Sequence, residues 1–160
     1  LKVNGLVNSL NAHLASYIWT SIKILKEMKK KNIKGNVVLL GSIYGLIGQD
    51  PDNYDNTSIS ENVSYSAIKG GIINYSRIAA SCFGRNGIRV NCICPGGIID
   101  KKKKYFSKNS KFSKSYLKKV PLKRFGNAEE IADAIYFLSS SKATYINGST
   151  FVIDGGLTAI

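Results

Sequence analysis

The sequence predicts an α/β fold: a doubly wound parallel sheet with helices on its faces. Three observations carry that reading. Apolar residues recur every three or four positions in separate stretches, the period of a helix with one buried face. Short, continuously apolar runs bounded by Gly, Pro, Asn and Asp lie between those stretches, as strands buried on both faces do. The two patterns alternate helix, strand, helix, strand, helix, strand, the order of a parallel sheet with crossover helices.

The first helix is expected from about Val7 to Lys31. Leu10, Leu14, Ile18, Ile22, Leu25 and Met28 share a face, and Lys29, Lys30 and Lys31 place cations at the negative end of the helix dipole. Gly35 ends the pattern, and Asn36 to Gly41 (NVVLLG) reads as a strand buried on both faces. Residues 48–62 (GQDPDNYDNTSISEN) read as a polar loop. A second helix is expected from about Ser64 to Phe83, with Ile68, Ile72, Tyr75, Ala79 and Phe83 as its apolar stripe. Asn86-Gly87 turns the chain into a second strand, Ile88 to Cys94, which Pro95-Gly96-Gly97 stops. Residues 100–124 are lysine-rich with scattered aromatics and read as a mobile segment. Asn127 followed by Glu130 has the spacing of a capping box and opens a helix through Ile131, Ile135 and Leu138. Ser149 to Ile153 reads as a last strand before Asp154-Gly155-Gly156. Three strands are fewer than a doubly wound sheet usually carries, so the chain is expected to be a piece of a larger unit.

Composition narrows the function classes. The 160 residues fit one domain, and 44% hydrophobic content excludes a wholly disordered chain. No apolar run is long enough to span a bilayer, and the first residues lack the pattern of a signal peptide. Cys82, Cys92 and Cys94 form no C-x-x-C pair, which excludes a disulfide framework and a zinc site and suits a reducing cytoplasm. The single histidine, His13, excludes a His-rich centre, so no metal is expected. The net charge of +13 is almost all lysine. A solvated basic surface and an anion-binding patch both fit it.

The most informative stretch is Tyr65-Ser66-Ala67-Ile68-Lys69. On a helix, Tyr65 and Lys69 are neighbours on one face. A phenol titrates near ~10, and a nearby cation lowers that value. A phenol so tuned can exchange a proton with an alcohol or carbonyl oxygen; the same spacing also fits an ordinary exposed pair. Ser42 ends a buried strand, where ligands gather in open α/β sheets, and its hydroxyl could bond a reacting oxygen. The Pro-Gly-Gly loop lies at the end of the next strand.

Together, VVLLGSIYG, YSAIKGGIINYSRIAA, GIRVNCICPGGI, PLKRFGNAEEIADAIYFL and YINGSTFVIDGG resemble the C-terminal part of the classical short-chain dehydrogenase/reductase family, in the correct order and over nearly the whole chain. The resemblance implies a Rossmann-like sheet lacking its N-terminal βαβ half. Residues 1–160 would then be the C-terminal catalytic portion of a single oxidoreductase domain. It implies reversible hydride transfer between NAD or NADP and a small-molecule carbonyl or secondary alcohol. Ser42 matches the serine that orients the substrate oxygen, and Tyr65 matches the catalytic acid/base. Lys69 matches the lysine that lowers the tyrosine pKa and bonds the nicotinamide ribose. Pro95, Gly96 and Ile98 match the loop that flanks the nicotinamide. A homodimer or homotetramer through the long helices is also implied.

The chain departs from the family pattern in three places. The family's proton-relay asparagine has His13 at its position, with Asn11 two residues earlier. The segment between Ser42 and Tyr65 is longer than usual, and its polar part, Gln49–Asn62, is expected beside the substrate mouth. No glycine-rich nucleotide fingerprint is present. Gly41, Gly45 and Gly48 imitate one, but Ile47 and the Pro/Asp loop break it. Leu40 and Tyr44 likewise exclude a hydrolase G-x-S-x-G elbow around Ser42.

Within the family, GSIYG, the longer loop and IKGGIIN are similar to a bacterial branch found with surface-polysaccharide and flagellin-glycan biosynthesis, which implies a sugar substrate. Lys101–Lys104, Lys108 and Lys111 would then form a basic lid. Two other readings stand beside the enzyme. One is an inactive, truncated relative kept for dimerisation. The other is a basic module for nucleic acid or an anionic surface, with Tyr105, Phe106, Phe112 and Tyr116 among its lysines; the scarcity of arginine and the enzyme-like element order count against it.

Overall fold

The computed structural model describes residues 2–55, 63–99 and 110–160. Helix α1 (Val3–Leu10) runs through a π-helical turn (Asn11–Ala15) into α2 (Ser16–Lys30). The helix therefore starts ahead of the expected Val7. Its middle is also wider than an α-helix, because the Ser16 N–H bonds Asn11 O, five residues back.

The strands are β1 (Gly35–Leu40), β2 (Ile88–Pro95) and β3 (Thr150–Ile153). All pair in parallel in the order β1-β2-β3, with Gly35 opposite Ile88 and Cys92 opposite Thr150. The central strand β2 serves two cores. Ile88, Val90, Cys92 and Cys94 face one side; Ile93 faces the other. β1 pairs with β2 alone among the described strands. It is an edge of the described sheet, so only Leu39 is buried and Leu40 is exposed.

Helix α3 (Val63–Gly84) lies on the first face with α2. Its stripe continues as expected: Ile68, Ile72, Ala79 and Phe83 are buried, while Tyr75 is partly covered. Each fully buried aliphatic contributes about 1.5–3 kcal/mol. Helix α4 (Lys111–Lys119) replaces part of the expected mobile segment. Ser110 caps it by accepting the Ser113 N–H at 3.0 Å, and Phe112 and Tyr116 bury with Val120 and Phe125. Lys101–Lys104, Tyr105, Phe106 and Lys108 lie outside the described residues. Helix α5 (Ala128–Ser139) starts at the expected capping box, the Glu130 carboxylate accepting the Asn127 N–H at 2.8 Å. It packs Ile131 and Leu138 against Ile93 on the second face. Helices thus cover both faces of a parallel sheet.

Candidate active site

The site forms at the C-terminal ends of β1 and β2. Ser42 follows β1 in extended conformation and is almost fully buried. Its Oγ accepts the Tyr44 N–H at 3.2 Å, which begins a short 3₁₀ turn, Ile43–Gly45. Two glycines explain how the chain fits there. A Cβ on Gly41 would lie 2.9 Å from both the Cys92 and Cys94 sulfurs. A Cβ on Gly45 would lie 2.6 Å from the carbonyl carbon of Lys69 and 2.7 Å from the Gly70 nitrogen. Two of the three glycines that imitate a nucleotide fingerprint, Gly41 and Gly45, are therefore close-packing points. They press the Ser42 turn onto β2 and α3.

Tyr65 sits in the first turn of α3 and Lys69 one turn later. The Lys69 ammonium lies 5.5 Å from the centroid of the Tyr65 ring and donates to Leu40 O at 2.9 Å. Burial pushes the ammonium below its ordinary pKa. Lys69 therefore joins α3 to the end of β1. Leu40 is held from its other side as well: its N–H donates to the Tyr17 hydroxyl of α2 at 2.8 Å. Burial raises the Tyr17 pKa, so the phenol stays neutral and accepts that bond.

A cavity of about 330 Å³ opens between the π turn and α3, lined by Ser9, His13, Tyr17, Tyr65, Ile68 and Lys69, among others. It brings together three of the four expected catalytic residues. His13 is exposed on the π turn that lines it. Asn11 lies on the same turn, is exposed, and does not line the cavity. Ser42 does not line it either; it stands two residues beyond Leu40, whose carbonyl Lys69 bonds. Sequence reasoning missed Tyr17, although it stands four residues after His13 and so shares its helix face.

The Pro-Gly-Gly loop leaves β2 next to the Ser42 turn, since the Gly41 N–H bonds Ile93 O. The Gly96 N–H bonds Ile153 O, and a Cβ there would lie 2.8 Å from the Asp154 Cα. Gly97 donates its N–H to the Tyr116 hydroxyl at 2.7 Å, which seats α4 on this loop. Burial pushes the Tyr116 phenol up to about 12. Ile98 bridges to Gly126, and its side chain joins the α5 core. It also lines a separate cavity, so only its backbone remains for the site. Phe112 and Tyr116 stack within their own cluster at 5.7 Å, which removes two of the aromatics that a base-stacking surface would need.

The family described as Enoyl-(Acyl carrier protein) reductase matches residues 4–158. The chain belongs to the classical short-chain dehydrogenase/reductase family. It is 36% identical to 3-oxoacyl-(acyl-carrier-protein) reductase FabG of Buchnera aphidicola subsp. Schizaphis graminum, over 94% of this chain and 56% of that protein. It is 34% identical to post-translational flagellin modification protein A of Campylobacter coli, over 92% of this chain and 55% of that protein. A crystal structure of a short-chain dehydrogenase from Leptospira borgpetersenii with bound NAD+ superposes with a TM-score of 0.86 at 32% identity, covering 99% of this chain and 58% of that one. The chain thus spans little more than half the length of these relatives. No described helix is long and apolar enough to cross a membrane.

Proposed function

We propose that this chain is the C-terminal catalytic portion of a cytoplasmic oxidoreductase that interconverts a carbonyl and a secondary alcohol with NAD or NADP. One observation carries the reading. Tyr65 and Lys69 line a single cavity with the ammonium over the phenol ring, and Lys69 also grips the strand that ends in Ser42.

The donor set fits a nicotinamide ribose. Lys69 spends one N–H on Leu40 O, and an ammonium has two more for ribose hydroxyls. Gly96, with no room for a side chain on its Asp154 side, together with Pro95 and the backbone of Ile98, would flank the ring. When bound, the nicotinamide supplies or accepts the hydride. The Ser42 hydroxyl bonds the substrate oxygen and fixes the face presented for reaction. Tyr65 gives that oxygen a proton during reduction and takes one during oxidation. The Lys69 ammonium, 5.5 Å from the ring centroid, sets a positive charge beside the Tyr65 ring. His13, or Asn11 on the same turn, holds the water through which the proton leaves.

The substrate reading is a sugar derivative. The similarity to a flagellin modification protein supports it, as does the basic α4 face, where Lys111 and Lys114 are exposed. A homodimer or homotetramer through α1–α2 and α3 is part of the same reading. Exposed Trp19 and Ile78 on those helices support it.

The experiment is expression of the whole gene and a screen of sugars, sugar acids and nucleotide sugars with each nicotinamide cofactor, following absorbance of the reduced form. Turnover with one of them is expected. A purified, folded protein that binds neither cofactor would contradict the proposal.

A further inference from the structure

The segment after the Ser42 turn does more than bulge into solvent. Gln49 donates from Nε2 to the Ser66 hydroxyl at 2.9 Å, one residue from Tyr65. Its Oε1 accepts the Tyr54 hydroxyl at 3.2 Å. Tyr54 in turn hydrogen-bonds Tyr44, two residues past Ser42. A polar chain therefore runs from the Ser42 turn through Tyr44, Tyr54 and Gln49 to the first turn of α3.

The other side of the segment holds α4. The Tyr54 ring lies 5.8 Å from Phe112, centroid to centroid. Ser115 donates to both Asp52 O, at 3.2 Å, and Asn53 Oδ1, at 3.1 Å. Asn53 is almost fully buried, and Asp50 pairs with Lys119. A tolerated surface insertion would not bury an asparagine or spend its polar groups on three other elements.

We propose that residues 49–54 form a positioning strut, with Gln49 as its key, that fixes the turn carrying Tyr65 relative to Ser42 and seats α4 over the same end of the sheet. The same turn also meets α1, where the Ser64 and Ser9 hydroxyls lie 3.4 Å apart. Removing the Gln49 bonds lets the Tyr65 turn drift, and a misplacement near 1 Å can cost about 10²-fold in rate. The effect falls on orientation during reaction, so kcat should suffer more than cofactor affinity.

The consequence for rate rests on the oxidoreductase reading; the consequence for local order does not. The test compares the whole protein with Gln49→Leu, which removes both bonds at similar volume. Gln49→Glu serves as the rescue, since its carboxylate can accept from both hydroxyls. Hydrogen exchange is read over residues 63–70 and 111–119, and kcat and KM are measured with the turnover substrate. The expected result is faster exchange in both segments for Gln49→Leu, kcat lower by about tenfold or more, and cofactor KM within about twofold. Gln49→Glu should restore the protection. Unchanged exchange in both segments would overturn the strut, as would a lowered melting temperature with wild-type kcat. If the parent protein itself turns over no substrate, the oxidoreductase reading falls and the exchange comparison still decides the strut.

Discussion

Replacing Gly45 by alanine is expected to damage the site without touching a reactive side chain. The added methyl would stand 2.6 Å from the Lys69 carbonyl carbon, 2.7 Å from the Gly70 nitrogen and 2.7 Å from Ile73 Cδ1. The Ile73 methyl can turn aside; the α3 backbone cannot. Ordinary contact begins at 3.4 Å, so the Ser42 turn and α3 must separate by about 0.8 Å. Overpacking of this kind costs about 1–3 kcal/mol. In a domain of this size each kcal/mol lowers Tm by about 2–4 °C. The same displacement moves Ser42 away from Tyr65 and Lys69, and a shift near 1 Å can cost about 10²-fold in rate. Gly48→Ala is the matched control, because nothing lies within 4 Å of a Cβ there. Urea denaturation and turnover of both variants, in the whole protein, are the assays. If Gly45→Ala proved as stable and as active as Gly48→Ala, the close packing of the Ser42 turn on α3 would not be what positions the site.

Two further outcomes follow from the loop and the helix cap. Tyr116→Phe should destabilise by about 1–3 kcal/mol in urea, because it strands the Gly97 N–H against a buried ring. The acid side is set in part by Glu130, whose carboxyl the Arg124 guanidinium and the Asn127 N–H hold at about 2, below its ordinary 4.5. A folded-state value below the unfolded one means that this group favours the fold above pH 4.5 and loses that contribution as pH falls from about 4.5 to about 2. Glu130→Gln should therefore be less stable than the parent at neutral pH, with the gap closing toward pH 2.

The parts of the fold that were legible in the sequence are those written in local patterns. The α3 stripe through Ile68, Ile72 and Phe83 needs only helical spacing, and the Asn127–Glu130 cap needs only three residues of separation. α4 was hidden because Phe112 and Tyr116, four apart, are surrounded by lysines that face solvent. Their partners lie outside the helix: Phe125 comes from the loop that follows it, and Tyr54 from a distant segment. Tyr65 and Lys69 could be paired from spacing. Tyr17 and Gln49 could not be assigned, since each acts through a long-range bond: Tyr17 to Leu40, and Gln49 to Ser66. The π turn lay in a stretch whose apolar pattern is that of an unbroken helix.

The most direct test of the central claim is Tyr65→Phe in the whole protein. It removes one hydroxyl from a half-exposed side chain and leaves the ring beneath the Lys69 ammonium. Proton transfer by a positioned group is worth about 10²–10⁴-fold. A loss of at least that order in kcat is expected, with melting temperature and nicotinamide affinity unchanged. Wild-type turnover in that variant would contradict Tyr65 as the acid/base and, with it, the proposed chemistry of the site.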